Sequence, residues 1–136
     1  FARDNASRIG MAKAAELGTR WSAMEEMVPI REDSWDNWHL STGPIVQSPG
    51  RNPVMFYNGA TSDARWRIGW VTFDQGCNCV TGRGVEPLLM PPPANDRAAT
   101  DIAFAASAIL QQDGTIHLYY SLEDRMLSRA TVRVYD

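Results

Sequence analysis

The chain has 136 residues, a formal net charge of −3 and a hydrophobic content of 44%. This length suits a single domain with a core of ordinary size, and the composition is that of a globular protein and not of a disordered one. The small negative charge gives no reason to expect binding to nucleic acid or to an anionic membrane. No run of apolar residues approaches the roughly 18 that a membrane-spanning helix needs.

The first segments of the chain predict a partial β unit followed by a polar loop. Residues 8–15 contain good helix formers, but glycines bracket the segment and it is similar to residues 66–70, so we predict a strand. Residues 21–30 are expected to form the strand or short turn that follows. Residues 33–38 are polar apart from two tryptophans and predict a loop.

Two consecutive copies of one β unit follow. Each copy has a strand of small residues, an aromatic strand that ends in a turn, and an alternating strand. The aromatic pairs 56–57 and 119–120 lie further apart than the roughly 40–50 residues of common propeller repeats, which indicates a long connection between the units. The predicted strands are 43–47, 53–59, 66–73 and 79–83, then 101–110, 115–122 and 127–135.

Repeated units of this kind are typical of the blades of a β-propeller, and 136 residues are too few for a whole one. The predicted fold is therefore all-β, a partial β-propeller of about two to three blades of antiparallel strands. We treat residues 1–136 as a single domain. Within it, residues 7–30 are assigned to a partial blade, 40–86 to a full blade and 100–135 to a closing blade.

The two cysteines, Cys77 and Cys79, are separated by one residue in a predicted loop. A structural zinc site needs four ligands, and so short a spacing rarely closes a comfortable disulfide. We therefore expect two free thiols and no metal or other cofactor. Free thiols slightly favour a reducing compartment such as the cytoplasm.

Six short blocks occur in one order along residues 7–134, namely 35–44, 56–59, 67–70, 87–89, 101–104 and 119–124. Together they resemble the second half of glycoside hydrolase family 130, which comprises β-mannoside phosphorylases and related β-mannosidases on a five-bladed propeller. The resemblance implies that an oligosaccharide is the ligand. It also implies that the general acid and several sugar-binding residues belong to a first half that has no counterpart here.

The resemblance implies roles for individual residues. His39 stands where the family's phosphorylases have a phosphate-binding Lys, and Asn58 replaces the His of a Tyr-His-Gly turn. Trp66 matches an aromatic position that is usually Tyr, and Asp124 matches a sugar-binding carboxylate. A phosphate dianion needs charged donors to offset its lost hydration, so the two replacements favour hydrolysis or sugar binding over phosphorolysis.

Asp101 joins this set because it opens a predicted inner strand, where strand starts line the axial pocket of a propeller. The expected sugar-binding residues are thus Asp101, Asp124, Trp66, Asn58 and His39, and the catalytic residues stay unassigned. Each also has a plain structural interpretation. Asp101 could cap its strand, Asp124 and Asn58 could be turn residues, and tryptophans pack in cores more often than they bind sugars.

Two functions remain open at this point. In the first, the chain is the C-terminal portion of a glycosidase-like protein that acts on or binds β-mannosides or related oligosaccharides, and it is inactive without its missing N-terminal half. In the second, it is a non-catalytic, self-associating carbohydrate-binding or structural module. The second would close a propeller as a homo-oligomer, because exposed blade flanks invite pairing.

Overall fold

The computed structural model of the chain describes residues 2–3, 6–93 and 101–135, and these residues form twelve β-strands and no helix. The predicted all-β fold is therefore confirmed. The described part contains no helix long and apolar enough to cross a membrane. The strands are β1 Ala2–Arg3, β2 Ala6–Ser7, β3 Ile9–Lys13, β4 Ser22–Val28, β5 His39–Ser41, β6 Ile45–Val46, β7 Val54–Ala60, β8 Trp66–Phe73, β9 Val80–Arg83, β10 Ala103–Leu110, β11 Ile116–Leu122 and β12 Met126–Val132.

The largest sheet is built around β7. Strands β5 and β6 both pair with one edge of β7, β8 pairs with its other edge, and β9 pairs with β8, all antiparallel. The chain interrupts the β5–β6 edge at Gly43, whose backbone comes very close to β7. A Cβ there would lie 1.8 Å from the Phe56 carbonyl oxygen, so this approach requires glycine.

Alternate side chains of β7 point to opposite faces of the sheet and divide the interior into two cores. Val54 and Phe56 pack in the first core with residues of β10 and β11. Met55 and Tyr57 pack in the second core with Ile9 and other residues of the β3–β4 pair. The sheets therefore stack in the order β3–β4, the central sheet, and β10–β12.

The β10–β12 sheet is an antiparallel meander with a bulge between Ala105 and Ser107 of β10. Its first strand packs against β6, β7 and β8 of the central sheet. Ala103 and Ala105 are buried at this contact, and their small side chains let the two sheets come close together.

Several predicted strands match the structure closely, and Trp66–Phe73 has the predicted bounds. The strand predicted at 43–47 is wrong in extent, because only Ile45–Val46 is regular and a separate strand, His39–Ser41, precedes it. Pro44 has no N–H to donate, so regular two-way pairing is interrupted there, although its carbonyl oxygen accepts from the N–H of Phe56 at 3.0 Å. The last strand is Met126–Val132 and not 127–135. The assignment of residues 7–30, 40–86 and 100–135 to blades stays a prediction.

Candidate functional site

Four of the five predicted site residues lie at the same end of the strands, along one edge of the molecule. His39 and Trp66 open β5 and β8, and both pair with the last residue of β7. Asp101 precedes β10, and Asp124 lies in the turn between β11 and β12. The start of β10 pairs with the end of β11, and a parallel bridge joins Trp66 to the residue after Asp101. The fold thus brings residues that are far apart in sequence to a common edge.

Three aromatic rings form the centre of this edge. The rings of His39 and Trp66 stack with centroids 5.6 Å apart and an interplanar angle of 25°. Phe104 and Trp66 form a T-shaped pair, with centroids 5.2 Å apart and an interplanar angle of 64°. The backbone N–H of Ser7 donates to Nδ1 of His39 at 3.4 Å, which places the proton of a neutral imidazole on Nε2.

An open cleft of about 410 Å³ is lined by two of these rings, those of Trp66 and Phe104, while His39, Asp101 and Asp124 lie outside its lining. Aromatic walls with a few polar groups are typical of small-molecule sites. The cleft lining combines the rings of Trp66 and Phe104 with the hydroxyl groups of Ser7, Ser41 and Thr42. The other lining residues are Arg8, Ile9, Gly10 and Leu40.

The side chain of Asp101 pairs with two arginines, and its main chain is bound by Glu123. Its carboxylate lies 3.2 Å from Nε of Arg65 and 3.3 Å from Nη1 of Arg67. Its backbone N–H donates to the Glu123 carboxylate at 2.9 Å, and the N–H of Ile102 donates to the same carboxylate at 3.0 Å. Asp101 therefore links the turn before β8 to the start of β10. Its contact with a sugar stays a prediction.

Asn58 lies inside the molecule and not on the cleft surface. Its side chain is fully buried. Its Oδ1 accepts a hydrogen bond from the N–H of Ala105 at 2.7 Å, and its Nδ2 donates to the carbonyl oxygens of Thr42 and Ala105 at 3.4 and 3.5 Å. These bonds join β7 to β10, so the structure gives Asn58 the role of a link between two sheets and leaves it no surface for direct sugar contact.

Asp124 occupies an exposed turn. Both Glu123 and Asp124 have positive φ values, 54° and 52°, a conformation that Asp tolerates better than most residues. Within the described part of the chain its carboxylate has neither an ion pair nor a hydrogen bond. Of the two predicted sugar-binding carboxylates, it is the one free to accept from a ligand.

The sequence analysis missed a second polar cluster, centred on Asp36 in the loop before β5. This carboxylate is fully buried and accepts from Arg31 Nη2 at 2.8 Å, Arg83 Nη2 at 2.6 Å and the Tyr57 hydroxyl at 2.6 Å. Trp35 stacks on Tyr57 with centroids 5.7 Å apart. The cluster ties the loop to the strands on the second-core face of the central sheet.

Charge and burial act against each other in this cluster. Burial opposes ionisation of Asp36, but hydrogen bonds from Arg31 and Tyr57 and the charge of Arg83 outweigh it and lower the pKa of the carboxyl group. Burial, together with the hydrogen bond to Asp36, raises the pKa of Tyr57 to about 12. The cluster therefore consists of an ionised Asp36 between two arginines, with the neutral phenol of Tyr57 donating a hydrogen bond to it.

Nothing in the described part of the chain groups three or more His, Cys, Asp or Glu side chains in a way that could hold a metal ion. Cys77 and Cys79 are free thiols in the loop between β8 and β9. Lys13 donates to Gly76 O and Asn78 Oδ1 of that loop, both at 2.6 Å. The loop lies away from the aromatic cleft, and we assign it no part in the site.

Known proteins similar to this chain were found by sequence and by structure. No family model matches the chain. The β-1,2-mannobiose phosphorylase of Listeria innocua serovar 6a is 24% identical over 111 residues, which are 79% of this chain and 31% of that protein. A solved structure of a Listeria innocua β-1,2-mannobiose phosphorylase with β-1,2-mannobiose has a TM-score of 0.72 and 24% identity, over 83% of this chain and 33% of that one.

A further structure comes from work on family 130 glycoside hydrolases that target β-1,2-mannosidic linkages in Candida mannan. It has a TM-score of 0.70 at 18% identity and covers 93% of this chain and 40% of that one. The resemblance to glycoside hydrolase family 130 is confirmed. Family 130 proteins are propeller-type, so the fold of this chain is a partial all-β propeller.

A glycosyl hydrolase from Bacteroides ovatus has the same architecture, with a TM-score of 0.70 and 19% identity over 93% of this chain and 40% of that one. At these identities the structural likeness establishes the fold. The chain spans 31% of the length of its family 130 sequence relative. What the whole relatives bind or convert is therefore not carried over to this chain by similarity alone.

Proposed function

We propose that the chain is a portion of a glycosidase-like protein that acts on or binds β-mannosides or related oligosaccharides, and that its aromatic cleft forms one wall of the sugar site. The observation that carries this proposal is the aromatic cleft, which lies at the same end of the sheets as Asp101 and Asp124. The family 130 relatives include a phosphorylase of β-1,2-mannobiose, which makes that disaccharide the first ligand to test.

Trp66 is the proposed stacking platform for a pyranose ring. One face of its indole is stacked on His39, and Phe104 packs against it at an interplanar angle of 64°. Both contacts restrict the rotamer of Trp66 before a ligand arrives, which lowers the entropy that binding would cost. A ring fixed in this way suits a binding wall better than a ring that is free to rotate.

Asp124 is the proposed acceptor for sugar hydroxyl groups, and Asp101 is a second, more constrained acceptor. Two guanidinium groups, of Arg65 and Arg67, already bind Asp101. A carboxylate can accept several hydrogen bonds at once, so Asp101 can bind a hydroxyl group without releasing its arginines. His39 Nε2–H is the proposed donor on the opposite side of Trp66.

We favour hydrolysis or binding over phosphorolysis. Phosphate is best bound by cations with fixed geometry, and neither position inherited from the family's phosphate site provides one. Asn58 is buried and engaged with main chain, and His39 stands in place of a Lys. Arg65 and Arg67 are nearby cations, but Asp101 already pairs with both.

The proposed catalytic unit is larger than this chain. Glycosidases commonly need two carboxyl groups that flank the scissile bond, and we assign neither a general acid nor a general base among the residues described. We therefore expect the 136-residue chain to bind a mannoside weakly and to show no turnover by itself.

Tryptophan fluorescence tests the binding proposal. We expect β-1,2-mannobiose to change the emission of the chain in a saturable way and the Trp66→Ala variant to lose at least about tenfold in affinity, since stacking on one ring is worth roughly 1–3 kcal/mol. Trp21→Ala is the matched control, because Trp21 is 56% exposed and lines a different surface. Unchanged affinity in Trp66→Ala, or equal losses in both variants, would contradict the proposal.

One observation favours the alternative, a self-associating module. Large apolar side chains are exposed on the last sheet and the tail, with Leu127 75% and Tyr135 82% exposed. Isolated exposed apolar residues are ordinary, so the oligomeric state of the chain, measured by light scattering, decides between the two functions.

A further inference from the structure

Asn58 is a polar residue in the row of β7 side chains that faces the first core. Val54 and Phe56 of this row pack in that core, and Asn58 follows two residues later on the same face. Its side chain is as fully buried as that of Phe56. Burying an amide costs free energy unless its polar atoms are hydrogen-bonded, so we looked for a role that an aliphatic side chain could not fill.

The Asn58 amide binds Ala105 through the same groups that a neighbouring strand would use. Its Oδ1 accepts from the Ala105 N–H at 2.7 Å, and its Nδ2 donates to the Ala105 carbonyl oxygen at 3.5 Å. The bulge of β10 begins at Ala105, and a bulge disrupts the local pairing of a strand. The amide therefore holds β10 at the point where pairing with β11 is least regular.

The same amide also reaches the segment between β5 and β6. Its Nδ2 donates to the carbonyl oxygen of Thr42 at 3.4 Å. Gly43, the next residue, lies close to both β7 and β10, since a Cβ on it would be 1.8 Å from the Phe56 carbonyl oxygen and 3.5 Å from the Ala105 Cβ. One buried side chain thus joins three segments of the chain, at residues 42, 58 and 105.

Two of the joined segments form walls of the aromatic cleft. Thr42 lines the cleft from the central sheet, and Phe104, the residue before Ala105, lines it from β10. Asn58 itself is fully buried and lies outside the cleft lining. Its hydrogen bonds therefore act on the separation of the two walls, and not on anything that occupies the cleft.

We infer that Asn58 is a positioning residue of the sugar site, which sets the width of the aromatic cleft without contacting the ligand. The inference rests on the proposed function of the cleft and adds the residue that keeps its walls in place. A site whose walls are fixed before binding loses less conformational entropy when the ligand arrives. Loss of the Asn58 hydrogen bonds should therefore weaken sugar binding even in a chain that is fully folded.

Two variants remove these hydrogen bonds in different ways. Asn58→Asp keeps the shape of the side chain and an acceptor for the Ala105 N–H, but it loses the amino group that reaches Thr42. Asn58→Ala removes all three hydrogen bonds and adds no charge. We expect each variant to lose at least about fivefold in affinity for β-1,2-mannobiose, the equivalent of roughly one hydrogen bond, measured by tryptophan fluorescence.

A second measurement needs no sugar. The rings of Trp66 and Phe104 have centroids 5.2 Å apart, so nuclear Overhauser effects should connect their protons in the unaltered chain. Because Phe104 precedes Ala105 on β10, both Asn58 variants should weaken or lose these effects. If the unaltered chain does not bind mannobiose, the proposed function fails, and the ring contacts still decide whether Asn58 positions the cleft walls.

Leu118→Ala is the matched control. Leu118 is fully buried in the first core and lies outside the cleft lining, so its truncation lowers stability and leaves the cleft walls in place. It should keep both the affinity and the ring contacts, with circular dichroism checking that each variant is folded.

Three results would overturn the inference. The first is an Asn58 variant that keeps both the affinity and the ring contacts. The second is an equal loss in Leu118→Ala, which would trace the effect to general destabilisation. The third is failure of both Asn58 variants to fold, because Asn58 would then support the whole fold and not the cleft in particular.

Discussion

Asp36 is the residue whose environment departs most from what its sequence neighbourhood suggests. The segment 33–38 is polar and predicts an exposed loop, yet the Asp36 side chain is fully buried between Arg31, Arg83 and Tyr57. Arg31 is close in sequence, but Arg83 and Tyr57 arrive through the pairing of β7, β8 and β9. No local pattern contains that information, so this cluster could not be predicted from the sequence.

We predict that Asp36→Asn costs about 3–5 kcal/mol of stability, because it leaves two guanidinium groups without their buried anion. Denaturant unfolding at neutral pH measures this loss. Asp33→Asn, in the same loop but exposed, should change stability by no more than about 0.5 kcal/mol. Equal effects of the two substitutions would show that the cluster does not stabilise the fold.

The Asp36 carboxylate also makes the free energy of unfolding depend on pH in acid. Because folding lowers the pKa of Asp36, its contribution is complete above the ordinary Asp value of about 3.9 and is lost as the pH falls through the lowered pKa. The unaltered chain should therefore lose stability below about pH 4 more steeply than Asp36→Asn. Parallel pH profiles for the two proteins would contradict this.

At the scale of strands, alternation and turn residues predicted most of the sheet correctly. β8 has the predicted bounds, residues 66–73, and β10 and β11 lie within the predicted strands 101–110 and 115–122. The error at residues 39–47 has a physical reason, since Gly43 and Pro44 break one edge strand into two short ones. Sequence patterns showed that a strand was present but not where its hydrogen bonds stop.

Glu123 shows how a turn fixes the start of a neighbouring strand. Its carboxylate accepts hydrogen bonds from the N–H groups of Asp101 and Ile102, and its own N–H donates to Ile102 O at 2.9 Å. We predict that Glu123→Ala leaves the two N–H donors unpaired, costs about 1–3 kcal/mol and speeds hydrogen exchange at residues 101–103. Asp124→Ala, one residue further along, should leave that exchange unchanged. Slow exchange in Glu123→Ala would contradict the role given to this carboxylate.

The sugar-binding roles of the five candidate residues stay predictions, and the structure shows only where their side chains lie. Four of these residues lie at one end of the strands, namely His39, Trp66, Asp101 and Asp124. The sequence blocks that carry them occur in the same order as in family 130. Asn58 lies within the sheet contact instead, and the arginines around Asp101 were not foreseen. Whether a side chain such as Asn58 is buried depends on how β7 packs on β10. The sequence of either strand alone does not specify that packing.

The whole molecule is a stack of sheets with an aromatic cleft where β8 begins. The cleft supports the proposed sugar binding. The chain spans 31% of the length of its family 130 sequence relative, and we assign the carboxyl groups that turnover would need to none of the residues described.

Chemical-shift mapping by nuclear magnetic resonance tests the sugar proposal most directly, since it reports where β-1,2-mannobiose binds. We predict that titration shifts the indole N–H of Trp66 and the backbone amides of Thr42 and Phe104. The indole N–H of Trp21 and the amides of the Cys77–Cys79 loop should stay in place. Shifts confined to β12 or to the β3–β4 pair, or no shifts at millimolar sugar, would contradict the account.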